Sequence, residues 1–277
     1  MTTHAAEPSA GTERGPASSP GYAAALSAEW HKFWALPVTR TVLLATVGIT
    51  VGINILAVLF GAGSNLAEVQ RKGEYDAIFF GALFGVWAFI YLGANFVASE
   101  FRTGMADYTF VATPRRSRVL ISKILIVGGL GLVLGALISL VDVALTQGAL
   151  AITGYPTLRL NDPTLLRPVL LYIGVGMGLQ GILGGLLAVL VRNAFGAVAL
   201  TILLNLLPVV FAKFFGEAYT RTVPRWTPGA IVESVSGVAK PGSDGYLPIS
   251  LAVLGAAIWI GVLLALALIR LLRGDAR

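Results

Sequence analysis

The stretch that decides the fold class lies between residues 168 and 215. Residues 168–191 read PVLLYIGVGMGLQGILGGLLAVLV and residues 194–215 read AFGAVALTILLNLLPVVFAKFF, and only Arg192 and Asn193 separate them. A single helix across both halves would be about 72 Å long, more than twice the hydrocarbon thickness of a bilayer. Because each half has the roughly 20 apolar residues that one crossing needs, the pattern predicts two antiparallel spans joined by a tight turn.

The composition of the whole chain is that of a membrane protein. Of its 277 residues, 56% are hydrophobic and 12% are charged, and the mean hydropathy is +0.80. A soluble domain has about 25% charged residues, and a soluble chain of this length could not bury so much apolar surface in one core. Four further stretches have the length of a span. The sequence therefore predicts an all-α, polytopic membrane helical bundle with six transmembrane helices, at residues 41–61, 77–98, 119–146, 168–191, 194–215 and 248–270.

Two segments precede the first span. Residues 1–20 are rich in Pro, Ser, Gly and Ala, which predicts a disordered N-terminal tail. Residues 21–38 predict an interfacial connecting helix that lies on the membrane, because apolar and aromatic side chains recur there at helical spacing with charged residues between them. The alternative is an extension of the first span, and Pro37 argues against that continuity. The apolar positions are Tyr22, Leu26, Trp30, Phe33 and Trp34.

Lys and Arg are distributed unequally over the two sides of the predicted bundle. The N-terminal segment, the second-to-third connection, the turn at Arg192 and the C-terminal end hold more of them than the longer connections on the other side. Because positive charge is retained on the cytoplasmic side, both termini are predicted to be cytoplasmic. The net charge of +6 is then explained by these loops, and we expect no nucleic acid as a partner. The bias towards Arg, Ala and Gly suggests a bacterial chain, so we expect the bacterial cytoplasmic membrane.

The sequence lacks the patterns of the common catalytic and metal sites. It has no cysteine, and its two histidines, His4 and His31, precede the first span, so no metal site or catalytic triad built on them is expected inside the membrane. No phosphate-binding loop of the G-x-x-x-x-G-K-[ST] type and no G-x-S-x-G elbow occur. We therefore expect a chain that is not itself an enzyme and binds no cofactor.

Polar residues inside the predicted spans are candidates for a translocation path or for contacts within the bundle. Gln180 and Asn205 lie equally far from the turn at Arg192, so they share one depth. They either hydrogen-bond to each other, which is worth about 1 kcal/mol or less in a membrane, or face a path for cargo. Asn54, in the outer half of the first span, is a third candidate. Asp142 is the acidic residue inside a span, predicted about one turn from the outer end of its helix. It is read as a carboxylate that reaches interfacial water, with a substrate or proton site as the alternative.

Glycines four residues apart occur in several spans. Small residues at this spacing allow helix backbones to approach closely, so they predict a compact bundle with close crossings. The pairs are Gly81 and Gly85, Gly131 and Gly135, Gly174 and Gly178, and Gly181 and Gly185.

The most specific pattern lies in the second-to-third connection, residues 99–118. It reads SEFRTGM at residues 99–105 and TPRRSR at residues 113–118, and Lys123 follows in the third span. Charge alone indicates a topogenic cytoplasmic loop. The ordered pattern resembles the E-[FY]-R-x-G-T … P-x-R … K signature of ABC transporter permeases of the ABC-2 type, with Met105 where Thr is usual. The resemblance implies a coupling segment that contacts a separate ATPase through the residues Glu100, Arg102, Gly104, Met105, Pro114, Arg115 and Arg116.

The same resemblance implies an architecture and a function. In that family a connecting helix precedes six spans, and the last external loop, here residues 216–247, carries short re-entrant helices. The implied function is the export of a drug, lipid, peptide or other amphiphile, driven by ATP and Mg on a separate ABC ATPase subunit. The implied partners are that subunit, a second permease copy or sister permease, and the lipid bilayer. A secondary transporter or channel, and a scaffold or sensor subunit that transports nothing, are the alternatives.

Overall fold

The computed structural model describes residues 21–57, 59–60, 79, 81–102, 116–154 and 157–273. The regular elements in these ranges are all helices, and six of them are long and apolar enough to cross a membrane. The all-helical class and the six candidate spans are thereby confirmed. In chain order the helices are α1 (Tyr22–Ala35), α2 (Pro37–Ala57), α3 (Ala82–Arg102), α4 (Arg116–Thr153), α5 (Pro163–Val191), α6 (Ala194–Phe211), α7 (Glu217–Thr220), α8 (Pro228–Ser236) and α9 (Ile249–Arg273). The candidate spans are α2 to α6 and α9.

Local chemistry explains where the helices begin and end. Leu36 is extended and separates α1 from α2, because the residue before a proline disfavours the helical conformation. Asp162 caps α5, whose first residue is Pro163, by accepting a hydrogen bond from the Thr164 amide at 2.9 Å. The helix therefore begins before residue 168. The predicted tail at residues 1–20 lies outside the described residues.

The turn between α5 and α6 is short. Arg192 has left-handed backbone angles, with φ at 57°, and its amide donates to the Ala188 carbonyl at 2.8 Å. The side chain of Asn193 then accepts from the Gly196 amide at 3.0 Å and caps α6. These two residues reverse the chain without further loop, so α5 and α6 pack against each other in antiparallel order.

Helix α5 is the central helix of the bundle and packs against α3, α4, α6, α8 and α9. A Cβ built on Gly131 of α4 would lie 2.6 Å from the Gly178 amide nitrogen, and one built on Gly135 would lie 2.5 Å from the Gly174 Cα. The two glycine pairs therefore face each other across an α4–α5 crossing that leaves no room for side chains. Gly93 of α3 meets the backbone of α5 in the same way. In contrast, only 22% of the residues in the span window of α2, 17% in that of α6 and 22% in that of α9 are buried.

The segment between α6 and α9 folds back onto the bundle. Thr227 caps α8 and Gly237 ends it with a left-handed conformation, φ 81°. Arg167 of α5 donates to the Val235 carbonyl at 2.7 Å, and the Trp259 indole of α9 donates to the Trp226 carbonyl at 2.8 Å. Within the predicted external loop, α8 is therefore fixed between two spans, with Ile231 fully buried.

Candidate functional site

A cavity of about 450 Å³ lies between α3, α5, α6 and α8. Its walls are mostly aliphatic and aromatic, with a small number of polar groups. Cavities of this size and chemistry are typical of sites that bind small amphipathic molecules. The aromatic contribution comes from Phe79, Trp87 and Tyr172, and the polar side chains that reach the wall beside Tyr172 are Gln180, Asn205 and Glu233.

Gln180 and Asn205 form a hydrogen-bonded node in the wall of this cavity. The Gln180 amide nitrogen donates to Asn205 Oδ1 at 2.9 Å, and Asn205 Nδ2 donates to Gln180 Oε1 at 3.2 Å and to the Thr201 carbonyl at 2.8 Å. Asn205 Oδ1 also accepts from the Gly229 amide at 2.7 Å. The two roles considered from the sequence are therefore compatible, because the pair joins α5 to α6 and also lines the cavity.

The contact with Gly229 was not predicted from the sequence. Gly229 lies in the first turn of α8, where backbone amides have no partner within the helix. Asn205 supplies that partner from the interior of α6. The beginning of α8 therefore lies beside the middle of α5 and α6. Helix α8 forms part of the cavity wall and does not belong to a loop outside the bundle.

A cluster of four charged side chains lies where α1, α3 and α4 meet. Lys123 Nζ of α4 is 2.7 Å from Glu29 Oε2 of α1 and 3.2 Å from Glu100 Oε1 of α3. Lys32 Nζ is 2.7 Å from Glu29 Oε1 and 3.6 Å from Glu100 Oε1. We call these residues the charge cluster. Its two carboxylates and two ammonium groups balance, so the cluster has no net formal charge.

Three members of the charge cluster are withdrawn from solvent, and the fourth, Lys32, has a side chain that is 44% exposed. The side chains of Lys123 and Glu29 are each 3% exposed, and that of Glu100 is 12% exposed. Lys123 Nζ also lies 3.7 Å from the centre of the Phe96 ring, a cation–π contact. Burial alone would lower the pKa of Lys32, but its hydrogen bond to Glu29 and the attraction of both carboxylates leave that pKa above its usual value. Lys32 therefore remains a cation at neutral pH.

The structure corrects the prediction for the faces of α1. From the sequence, Phe33 belongs to the apolar positions of a helix lying on the membrane, and Glu29 is one of the charged residues between them. Instead both are buried in the protein, and the Phe33 ring packs edge-on against Phe96 with centroids 5.0 Å apart. The exposed apolar residues are Tyr22, Leu26 and Trp30, which recur every four residues. A position of this stripe at the membrane surface stays a prediction.

The structure also corrects the prediction for Asp142. Helix α4 continues to Thr153, so Asp142 lies roughly three turns before its end and is only 1% exposed. Its Oδ2 accepts a hydrogen bond from Asn54 Nδ2 of α2 at 2.5 Å, and Asn54 Oδ1 accepts from the Gly81 amide at 2.6 Å. The Asp142 carboxylate is therefore buried inside the bundle and bonded to α2, and its contact with interfacial water stays a prediction. The helix continues past residue 146, and the Gln147 side chain is hydrogen-bonded to both backbone groups of Leu158.

The predicted coupling residues are only partly described. Glu100 belongs to the charge cluster, Arg102 is the last residue of α3, and Arg116 is the first residue of α4. Gly104, Met105, Pro114 and Arg115 lie outside the described residues. Sequence reasoning treated Glu29, Lys32 and Lys123 separately and missed their association. Two acidic and two basic residues at helix ends assigned to one side of the membrane were the available signal.

Comparison with known proteins adds no relative: no family model, no curated protein and no solved structure matches this chain. Among the described residues, no group of three or more His, Asp or Glu side chains is arranged to hold a metal ion. The functional argument therefore depends on the cavity, the charge cluster and the sequence pattern between α3 and α4.

Proposed function

We propose that this chain is the membrane-spanning permease subunit of an ATP-binding cassette transporter of the ABC-2 type. It would export an amphipathic molecule by using ATP hydrolysed, with Mg, on a separate subunit. The observation that carries the proposal is the charge cluster. Glu100 and Lys123 belong both to the permease-like pattern and to this cluster, and they flank the connection between α3 and α4 on both sides.

The charge cluster gives that connection a mechanical role. Glu100 is near the end of α3 and Lys123 is in the second turn of α4. On α1, Glu29 pairs with Lys123 and Lys32 pairs with Glu100, so α1 is joined to both helices. A partner that displaces the connection would therefore move the ends of three helices together. Transport needs two arrangements of the bundle whose equilibrium such a partner can bias.

The cavity beside α8 is the site we propose for the cargo. Its mostly apolar wall with a small number of polar groups fits amphipathic molecules. Its aromatic side chains favour flat apolar groups and cations. Drugs, lipids and short apolar peptides all fall within this chemistry.

The proposal also includes the setting of the chain. It would lie in a bacterial cytoplasmic membrane with both termini inside and would pair with a second copy or a sister permease. The apolar residues exposed on α2, α6 and α9 suit contact with lipid or with such a partner helix.

Reconstitution of the purified chain in proteoliposomes, alone and with a candidate ABC ATPase, tests this function. A fluorescent hydrophobic amine serves as the transport probe. We expect ATP-dependent movement of the probe and ATP turnover only when the ATPase is present. A control substitution, Glu217→Gln on exposed α7, should change neither. ATP turnover by the chain alone, in a preparation free of other ATPases, would contradict the proposal.

One observation favours a second candidate, an ion-coupled secondary transporter. Such proteins use intramembrane carboxylates, and Asp142 is a buried carboxylate in a candidate span. The same proteoliposomes distinguish the two functions. Probe movement driven by an imposed ion gradient, without ATPase or ATP, would favour the secondary transporter.

A further inference from the structure

The surroundings of Asp142 contain an unusual number of buried oxygens without a hydrogen-bond partner. Six buried side-chain oxygens of the described residues lack one. Two of them, on Glu29 and Glu100, are paired with lysines in the charge cluster. The other four are Thr50 Oγ1, Ser139 Oγ, Asp142 Oδ1 and Thr146 Oγ1. A buried polar atom of this kind needs an explanation, since nearly all such atoms in proteins are satisfied.

These four oxygens belong to two helix faces that Asn54 joins. Thr50 and Asn54 are four residues apart on α2, and Ser139, Asp142 and Thr146 follow one face of α4. Asn54 Nδ2 donates to Asp142 Oδ2, which leaves Oδ1 as the carboxyl oxygen that no donor satisfies. Neither Ser139 Oγ nor Thr146 Oγ1 donates to Oδ1, so this carboxyl oxygen is left without a donor from its own helix.

No cation among the described residues neutralises Asp142. Arg167 of α5 lies at a similar level, because α4 and α5 cross through Gly135 and Gly174, but its guanidinium donates to the Ser234 and Val235 carbonyls. Tyr172 of α5 packs against Phe79 at the other cavity. The other described titratable side chains of α2, α3 and α4 lie farther along their helices from Asp142: Arg40 on α2, Tyr91 and Glu100 on α3, and Arg118 and Lys123 on α4. Helix α1, which carries Tyr22, Glu29, His31 and Lys32, meets α4 at Lys123. An unpaired carboxylate in hydrocarbon is costly, so a proton is the simplest way to remove its charge.

A second cavity has Asp142 in its wall. It has a volume of about 300 Å³, and Asn54, Asp142 and Thr146 are the polar side chains in its wall. This volume is large enough for several water molecules, and these three side chains supply polar partners for them. The cavity is separate from the one beside α8, with which it shares no lining residue.

We propose that Asp142 is a proton-binding site inside the membrane, loaded from the 300 Å³ cavity. A hydrated proton from the cavity adds to Oδ1, leaves its water molecule in the cavity and converts the carboxylate into an uncharged acid. On release the proton returns to cavity water, and Asn54 continues to hold Oδ2. Because Asn54 also accepts from Gly81 at the start of α3, the protonation state of Asp142 acts on three spans together. This site goes beyond the proposed ATP-driven transport and does not depend on it.

Infrared difference spectroscopy of the whole chain in nanodiscs tests the site directly. We expect a carbonyl band of a protonated carboxylic acid that changes with pH and shifts in D₂O, because the cavity admits water. Asp142→Asn should abolish this band, whereas Glu217→Gln on exposed α7 should retain it. A second variant, Asn54→Ala, should move the midpoint of the band to higher pH, because it removes the donor that stabilises the ionised form. It keeps the test valid if Asp142→Asn does not fold.

Three results would overturn the proposal. The first is a wild-type spectrum without a pH-dependent carboxylic acid band. The second is a band that survives Asp142→Asn in folded protein or stays at the same midpoint in Asn54→Ala. The third is a carboxyl signal that changes when NaCl is added but not when choline chloride is added, at a pH where the carboxyl group is already fully ionised. That result would assign a cation site instead of a proton site.

Discussion

Substitution of Lys123 by Met should destabilise the protein strongly. Lys123 Nζ lies 2.7 Å from Glu29 Oε2 and 3.2 Å from Glu100 Oε1. The side chains of Lys123 and Glu29 are each 3% exposed. Without Lys123, two carboxylates share the single cation Lys32, and a buried negative charge is left unbalanced. Breaking a buried pair from one side costs about 3–5 kcal/mol. That cost corresponds to a fall of roughly two to three and a half orders of magnitude in the folding equilibrium.

Two further variants separate the effect of burial from a general effect of substitution. Arg221→Met removes a pair with Glu217 whose side chains are 69% and 86% exposed, so it should cost about 1 kcal/mol or less. The double variant Glu29→Gln with Lys123→Met restores the charge balance and leaves Lys32 with Glu100. It should therefore be less destabilised than the sum of its two single variants, by about 1–3 kcal/mol.

Unfolding in mixed micelles with increasing SDS, followed by tryptophan fluorescence and circular dichroism, measures these differences. The reasoning would be refuted if Lys123→Met lost no more stability than Arg221→Met. It would also be refuted if the two substitutions in the charge cluster were strictly additive, because additivity means that the side chains do not interact.

Three further predictions concern the bundle. Gly135→Ala forces a methyl group into the α4–α5 crossing and should cost about 1–3 kcal/mol of overpacking, whereas Gly129→Ala, with nothing within 4 Å, should be neutral or stabilising in the same unfolding assay. Asn205→Leu leaves the Gln180 side-chain amide and the Gly229 backbone amide without their partner and should cost about 1–3 kcal/mol of stability. If the pair also lines the cargo path, the same substitution should alter probe transport per folded molecule. An impermeant thiol reagent on intact cells should label a single cysteine at exposed Ser243 and spare one at Ser117, and the reverse pattern would invert the predicted topology.

Sequence could predict the class, the number of spans and one internal contact for definite physical reasons. Hydropathy over a window the length of a bilayer identifies spans without knowledge of packing. The Gln180–Asn205 pair was foreseeable because a two-residue turn at Arg192 fixes the register of two antiparallel helices. Gly229 contacts the same pair through its backbone amide. Every residue except proline has such an amide, so the sequence gives no indication of this contact.

Periodicity could not decide which apolar residues of α1 meet protein and which meet another environment. Trp30 and Phe33 are both apolar, yet Trp30 is exposed and Phe33 is buried. A membrane surface and a protein interior favour the same residue types, so the pattern alone does not separate them. For Asp142 the failure was one of helix length, since the polar residue Gln147 marked a false end of the span.

The central claim, that a separate ATPase acts on this chain through the connection after α3, is tested most directly by an ATPase rate. The candidate ATPase is assayed in proteoliposomes with the wild-type chain and with the triple variant Glu100→Ala, Arg102→Ala and Gly104→Val. A control variant, Arg270→Ala with Arg273→Ala, removes two charges from the last turn of α9. We expect the wild type and the control to change the ATPase rate and the triple variant, inserted at a similar level, to lose that effect. An unchanged effect of the triple variant on the ATPase rate would contradict the account.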